Sequence, residues 1–173
     1  MNSIVLGLHV LFASMLVGPQ VLLFLAVIPA TWLIPSEQLR REVTRVVTRR
    51  FAWLASIAIG GLVLTGLYQL SAVVCPDVRD QMMDYRFGVL FSVKMLAFLV
   101  LLTSIMLHGI IFGRRMRLMS EAVERGEVEP GQLEQARRNS LMFSMFILVL
   151  SVAVLFMGAA LGNHEYSCMP IVP

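Results

Sequence analysis

A chain of 173 residues that is 58% hydrophobic and only 14% charged has too few polar side chains to cover a soluble domain of its size. Its mean hydropathy of +0.80 points the same way. The formal charge of +3 and pI near 9.3 do not indicate nucleic acid, because the basic residues are concentrated in two loops. Four apolar runs stand out, roughly Ile4 to Ile34, Phe51 to Val74, Phe87 to Phe112 and Leu141 to Gly162. Each reaches or exceeds the ~20 residues that cross ~30 Å of hydrocarbon as a helix. The predicted fold is all-α, an integral membrane four-helix bundle forming one domain over residues 1–173.

The first run has no basic segment before it and no small-residue cleavage site after it, so it is expected to be retained rather than removed as a signal peptide. His9 lies near its start, and Gln20 shares that face eleven residues on. Gly18-Pro19 interrupts the run and is expected to kink it. Pro29 and Pro35 bracket Trp32, which suits a bilayer interface. The first loop carries Arg40, Arg41, Arg45, Arg49 and Arg50.

The second run contains Gly60, Gly61 and Gly66, small residues that let membrane helices approach. It closes on Tyr68 and Gln69. The second loop sets Arg79 and Arg86 against Asp77, Asp80 and Asp84. The third run holds Lys94, Leu101 and His108 on one stripe. After it come Arg114, Arg115, Arg117, Arg125, Arg137 and Arg138. Ser120 to Asn139 is polar and helix-prone on both sides of Glu129-Pro130-Gly131, which predicts a short cytoplasmic helical hairpin. The fourth run ends in Gly158-Ala-Ala-Leu-Gly162, followed by Asn163-His164-Glu165.

Two loops hold eleven of the fourteen basic residues. The positive-inside rule places both on the cytoplasmic side. Both termini and the second loop then face outward from the inner (plasma) membrane, into the periplasm if the source is a Gram-negative bacterium. Cys75 and Cys168 fall on that outer side. An oxidising compartment permits a disulfide between them; the alternatives are two unpaired thiols or a soft metal site.

Depth follows from the 1.5 Å rise per residue of a helix. His9, Lys94 and His164 fall near the outer surface, with Tyr68 and Gln69. His108 lies about 21 Å from Lys94 along the same helix, near the inner end, where Arg49 and Arg50 also sit. An ammonium in hydrocarbon costs several kcal/mol, so Lys94 is expected to face an interior, a cavity or an anion. It could instead snorkel outward or pair with Asp77, Asp80 or Asp84. Each histidine has a plainer reading as well: His9 and His108 hydrogen-bonded to a backbone carbonyl, His164 solvated. The methionines are mostly packing residues. Met82, Met83 and Met169 lie near the cysteines, where thioethers would suit Cu(I).

His9-Val-Leu-Phe-Ala, Arg49-Arg50-Phe51, Thr65-Gly66-Leu67 and Val93-Lys94-Met95-Leu96, with a glycine-rich last helix, resemble the CopD-type copper-resistance membrane domain. The order of His9, Arg50-Phe51, Lys94 and His108-Gly109 also resembles the HemJ-type protoporphyrinogen oxidases. The latter resemblance implies b-type haem, with His9 and Lys94 matching functionally important positions. Where that family carries Asn-Glu-x-Pro before its last helix, this chain reads Arg138-Asn139-Ser140-Leu141-Met142.

Two functions follow. In the first, His9 and His164 are axial ligands of haem b, and Lys94 neutralises a propionate or acts as ligand or proton donor. His108 then serves a second haem or a quinone site, with Arg49 at its level. A quinone or a redox protein would be the electron partner. In the second, Cys75, Cys168, Met82, Met83, Met169 and His164 capture copper, as the CopD-type resemblance implies. An accessory subunit that docks onto a larger membrane complex and binds nothing itself is the third reading; a homo-oligomer is a further option for its partners. Phosphate loops, Cys-x-x-Cys and spaced nucleophile-base pairs do not occur.

Overall fold

A computed structural model describes residues 2–72, 74, 78, 81–163, 165 and 168–171. They form helices. Four are long and apolar enough to cross a membrane: Ser3–Trp32, Glu37–Ser71, Arg86–Glu124 and Pro130–Gly162. This is the build of a multi-pass membrane protein.

The first span is α1 (Asn2–Leu22), a π-helical segment (Leu23–Val27) and α2 (Ile28–Trp32). Pro19 does not end α1, which continues to Leu22 before the register widens. Pro29 supplies a reason for the widening. In an α-helix its ring would meet the carbonyl of Leu25, and a π turn moves that carbonyl away.

The second span, α3, runs Glu37–Ala72 and so starts fourteen residues before Phe51. Its first turns are polar but rich in Glu, Gln, Leu and Arg, good helix formers that hydropathy does not register. The third span is α4 (Arg86–Leu107), a second π segment (His108–Phe112) and α5 (Gly113–Glu124). The fourth, α6, runs Pro130–Gly162.

The helical hairpin expected between the third and fourth runs is present, but its turn is displaced. The chain turns at Gly126, whose φ of 75° suits a residue without a Cβ. Gly126 N–H donates to Val123 O at 3.0 Å and Glu127 N–H to Ala122 O at 2.9 Å, closing α5. Pro130 then opens α6 at a position where its missing N–H costs nothing.

The chain forms two compact units, Met1–Tyr85 and Arg86–Ile171. In the first, α1 packs antiparallel on α3. Leu16, Ala55 and Ala58 are the buried centre, with Met15, Phe51, Ile59 and Leu62 around them. Gly61 lets the backbones close, since a Cβ there would fall 2.5 Å from the Phe12 ring. In the second unit α4 packs on α6, with Leu101 and Ser151 each 1% exposed at the seam. The chain end returns to this unit, where Arg86 N–H donates to Met169 O at 3.0 Å.

The two units repeat one plan. His9, Leu16 and Leu23 recur every seven residues; His9 meets Thr65 and Leu16 packs with Ala58, and Thr65, Ala58 and Phe51 are likewise seven apart. Lys94, Leu101 and His108 have the same spacing and face Gly158, Ser151 and Ser144. Corresponding first-helix positions are 85 residues apart, and so are the starts of the two π segments, Leu23 and His108. Corresponding second-helix positions are 93 apart, as are the helix starts at Glu37 and Pro130. A sustained seven-residue repeat keeps one seam facing its partner along both helices. Lys94 is therefore the positional counterpart of His9.

Candidate functional site

In the first unit the polar seam position is His9. Its Nδ1 lies 2.7 Å from Thr65 Oγ1, and Thr65 Oγ1 donates to Gly61 O at 2.6 Å. A hydroxyl has one proton, and Gly61 receives it. Thr65 must therefore accept from His9, so Nδ1 carries the imidazole proton and Nε2 carries the lone pair. The ring lies over Gly66, where a Cβ would stand 3.5 Å from His9 Cε1, an ordinary van der Waals contact. Gln20 is buried about one turn beyond Leu16's level, on the face shared with His9. Tyr68 is half-buried, and Gln69 Nε2 is buried without a hydrogen-bond partner among the described residues.

Lys94 holds the corresponding place in the second unit, but its opposite residue is Gly158 where Thr65 stands in the first. A Cβ at Gly158 would lie 3.4 Å from Lys94 Nζ and 3.7 Å from Cε. The lysine thus lies along α6's backbone, half-buried, with no ion pair or side-chain hydrogen bond among the described residues. Its environment contrasts with that of His9, which has a hydroxyl to receive its proton.

His108 sits seven residues beyond Leu101 and about 21 Å from Lys94 along the helix. Its Nε2 is 3.2 Å from Ser144 Oγ, and that hydroxyl donates to Ser140 O at 3.0 Å. The same one-proton argument puts the imidazole hydrogen on Nε2 and the lone pair on Nδ1. Nδ1 is buried and has no hydrogen-bond partner among the described residues. The ring stacks on Phe112 at 5.2 Å and Phe143 at 5.7 Å, and those two rings are 5.5 Å apart. The cluster occupies the start of a π segment, a feature frequent at functional positions.

The other expected residues are placed less centrally. Arg49 is exposed in α3, sixteen residues from Thr65 and so about 24 Å along the helix from His9's level. His164 and Cys75 lie outside the described residues, as do Asp77 and Asp80, so the Cys75–Cys168 pairing falls there too. Met82 and Met83 belong to the first unit, and Cys168 and Met169 to the second. Among the described residues no group of three or more His, Cys, Asp or Glu side chains is placed to hold a metal ion.

Thr65, Ser144 and Gly158 were not singled out as polar-seam partners by the sequence reading. Their signal was available: each stands at seven-residue spacing from a second small residue on its helix, Ala58 or Ser151. Comparison with protein-family models, with curated proteins and with solved structures finds no match to this chain.

Proposed function

We propose that the chain is an integral membrane haem b-binding redox protein. In this reading His9 is an axial ligand, and Lys94 is the charge partner of an anionic group such as a propionate. The observation that carries it is the chain of hydrogen bonds from His9 through Thr65 to Gly61. Histidines that ligate metal ordinarily donate their other ring N–H to a fixed acceptor, which sets the tautomer and raises ligand basicity. Thr65 does that for His9 and directs the lone pair to Nε2, the nitrogen remote from Cβ. Bound haem would supply one-electron chemistry.

Lys94 supports the reading from its own unit. An ammonium in a membrane span without an acidic side chain beside it among the described residues calls for an anion from elsewhere, and a carboxylate-bearing cofactor provides one. His108 fits a different task. Its lone pair is on Nδ1, beside Cβ, where a porphyrin plane has no room to approach. As a hydrogen-bond acceptor among aromatic rings it suits the hydroxyl of a quinol better than an iron. The arginine-rich turns put both chain termini on the periplasmic side of an inner membrane by the positive-inside rule.

The visible spectrum of the purified protein tests the proposal. A Soret band with a sharpened α-band on reduction is expected, lost in His9→Ala. Haem retained at full occupancy in His9→Ala would reject the ligand assignment. A colourless protein holding stoichiometric copper would reject the haem reading itself.

A further inference from the structure

The arginines divide into two groups according to whether the chain supplies a carboxylate. Arg40 lies 3.7 Å from Glu37, Arg45 2.6 Å from Glu42, Arg125 2.7 Å from Glu127 and Arg137 3.5 Å from Glu134. Arg114, Arg115, Arg117 and Arg138, all in the second unit and all exposed, have no such partner among the described residues. No acidic residue stands one helical turn from Arg114 or Arg115, and Glu134, one turn before Arg138, is taken by Arg137. Glu121 follows Arg117 by one helical turn, within ordinary pairing reach, and the two are not joined.

Position separates the four from Arg40, Arg45 and Arg125, which lie further out, whereas Arg137, beside Arg138, is paired with Glu134. Arg114, Arg115 and Arg117 directly follow Phe112, the last residue of an apolar run, and Arg138 stands three residues before Leu141, where the next begins. Arg117 is eight residues before Arg125 at the turn, and Arg138 is eight residues after Pro130. Both therefore lie about 12 Å from the tip of the hairpin. α5 and α6 pack side by side, so Arg117 and Arg138 share one level at the edge of the apolar region, with Arg114 and Arg115 less than one helical turn deeper. Arg125, out at the tip, is paired. The first unit repeats the pattern: Arg49 and Arg50 directly precede Phe51 and lack partners among the described residues, whereas Arg40 and Arg45 further out are paired.

Charges left without carboxylates where hydrocarbon ends, beside paired charges further out, match a counter-ion that comes from the bilayer. We infer that Arg114, Arg115, Arg117 and Arg138 form a headgroup site for an anionic phospholipid. Guanidinium groups present forked donors matched to phosphate oxygens. The adjoining surface suits the acyl chains, since Ile110, Ile111, Met142 and Met145 are exposed next to these arginines. Basic clusters beside membrane spans attract anionic lipid with an energy that grows with each residue. This inference rests on the membrane-spanning reading of the helices and not on haem.

The test is lipid retention by the full-length protein in detergent micelles, read by native mass spectrometry with phosphatidylglycerol or phosphatidylcholine added. Phosphatidylglycerol should bind the wild type preferentially. Changing Arg114, Arg115, Arg117 and Arg138 together to Gln should weaken that binding at least about tenfold. Changing the paired Arg40, Arg45 and Arg125, which lie further out, to Gln removes three of the same charges and should weaken it far less. Should the first variant lose helix content, Arg115→Gln with Arg138→Gln carries the same comparison. Equal retention of phosphatidylcholine, or an equal loss in the control, would overturn the site. So would displacement of the lipid by millimolar inorganic phosphate, which would mark a site for free phosphate instead.

Discussion

Lys94 lies along the backbone of Gly158, its ammonium 3.4 Å from where a Cβ would stand, with no acidic side chain beside it among the described residues. A positive charge held in an apolar span for a ligand's sake costs stability when the ligand is absent. Lys94→Met keeps the length and removes the charge. In ligand-free protein it should raise the thermal midpoint, with a gain of about 2 kcal/mol. In cofactor-loaded protein it should weaken ligand retention. A ligand-free variant less stable than wild type would show that Lys94 already has its partner within the fold.

Thr65 fixes the His9 ring only through its hydroxyl. Thr65→Val preserves the shape and leaves Nδ1–H without its acceptor. Haem affinity, measured by Soret titration, should fall about 10- to 100-fold, as for other partners of metal-ligating histidines. Thr65→Ser should restore most of it. Equal affinity in all three proteins would remove Thr65 from the site.

Gly61 is required by packing rather than by chemistry, because a Cβ would fall 2.5 Å from the Phe12 ring. Gly61→Ala should cost about 1–3 kcal/mol, the usual range for overpacking a tight interface. Phe12→Leu in the same chain should recover part of it. Thermal melts of the single and double variants separate these outcomes.

Away from the membrane spans, the hydrogen bond and charge of Arg125 hold the Glu127 carboxyl below its ordinary value of 4.5. A carboxyl lowered in the folded state adds stability above its unfolded value and loses it as pH falls through the folded value. Any stability gap between wild type and Glu127→Gln should be constant at neutral pH and close below pH 4.5. A gap that widens on acidification would contradict the pair.

Hydropathy made the four spans legible, and periodicity made the Lys94–Leu101–His108 stripe legible. What lay opposite that stripe was not. Gly158, Ser151 and Ser144 read as ordinary small-residue packing until Lys94, Leu101 and His108 are set against them. The helix starts at Glu37 and Pro130 were also missed, because a polar helix outside hydrocarbon leaves no trace in an apolar profile. Neither π segment has a sequence signal of its own. Pro29 hints at one only after the register of the first is known.

His108 and Ser144 test whether the second seam carries chemistry or only packing. The ring is stacked on Phe112 and Phe143, while Nδ1 is buried without a partner among the described residues. His108→Phe keeps an aromatic ring and removes both nitrogens, so as a packing element it should hold or raise the thermal midpoint. Ser144→Ala leaves Nε2–H without its acceptor and should cost about 1–3 kcal/mol. If stability were all that mattered, His108→Phe would be silent in every assay. The quinol role instead requires that it abolish quinol-dependent reduction while the protein stays folded and the Soret band at the His9 end is unchanged. A His108→Phe protein that is stable and still reduced by quinol at the wild-type rate would confine His108 to packing.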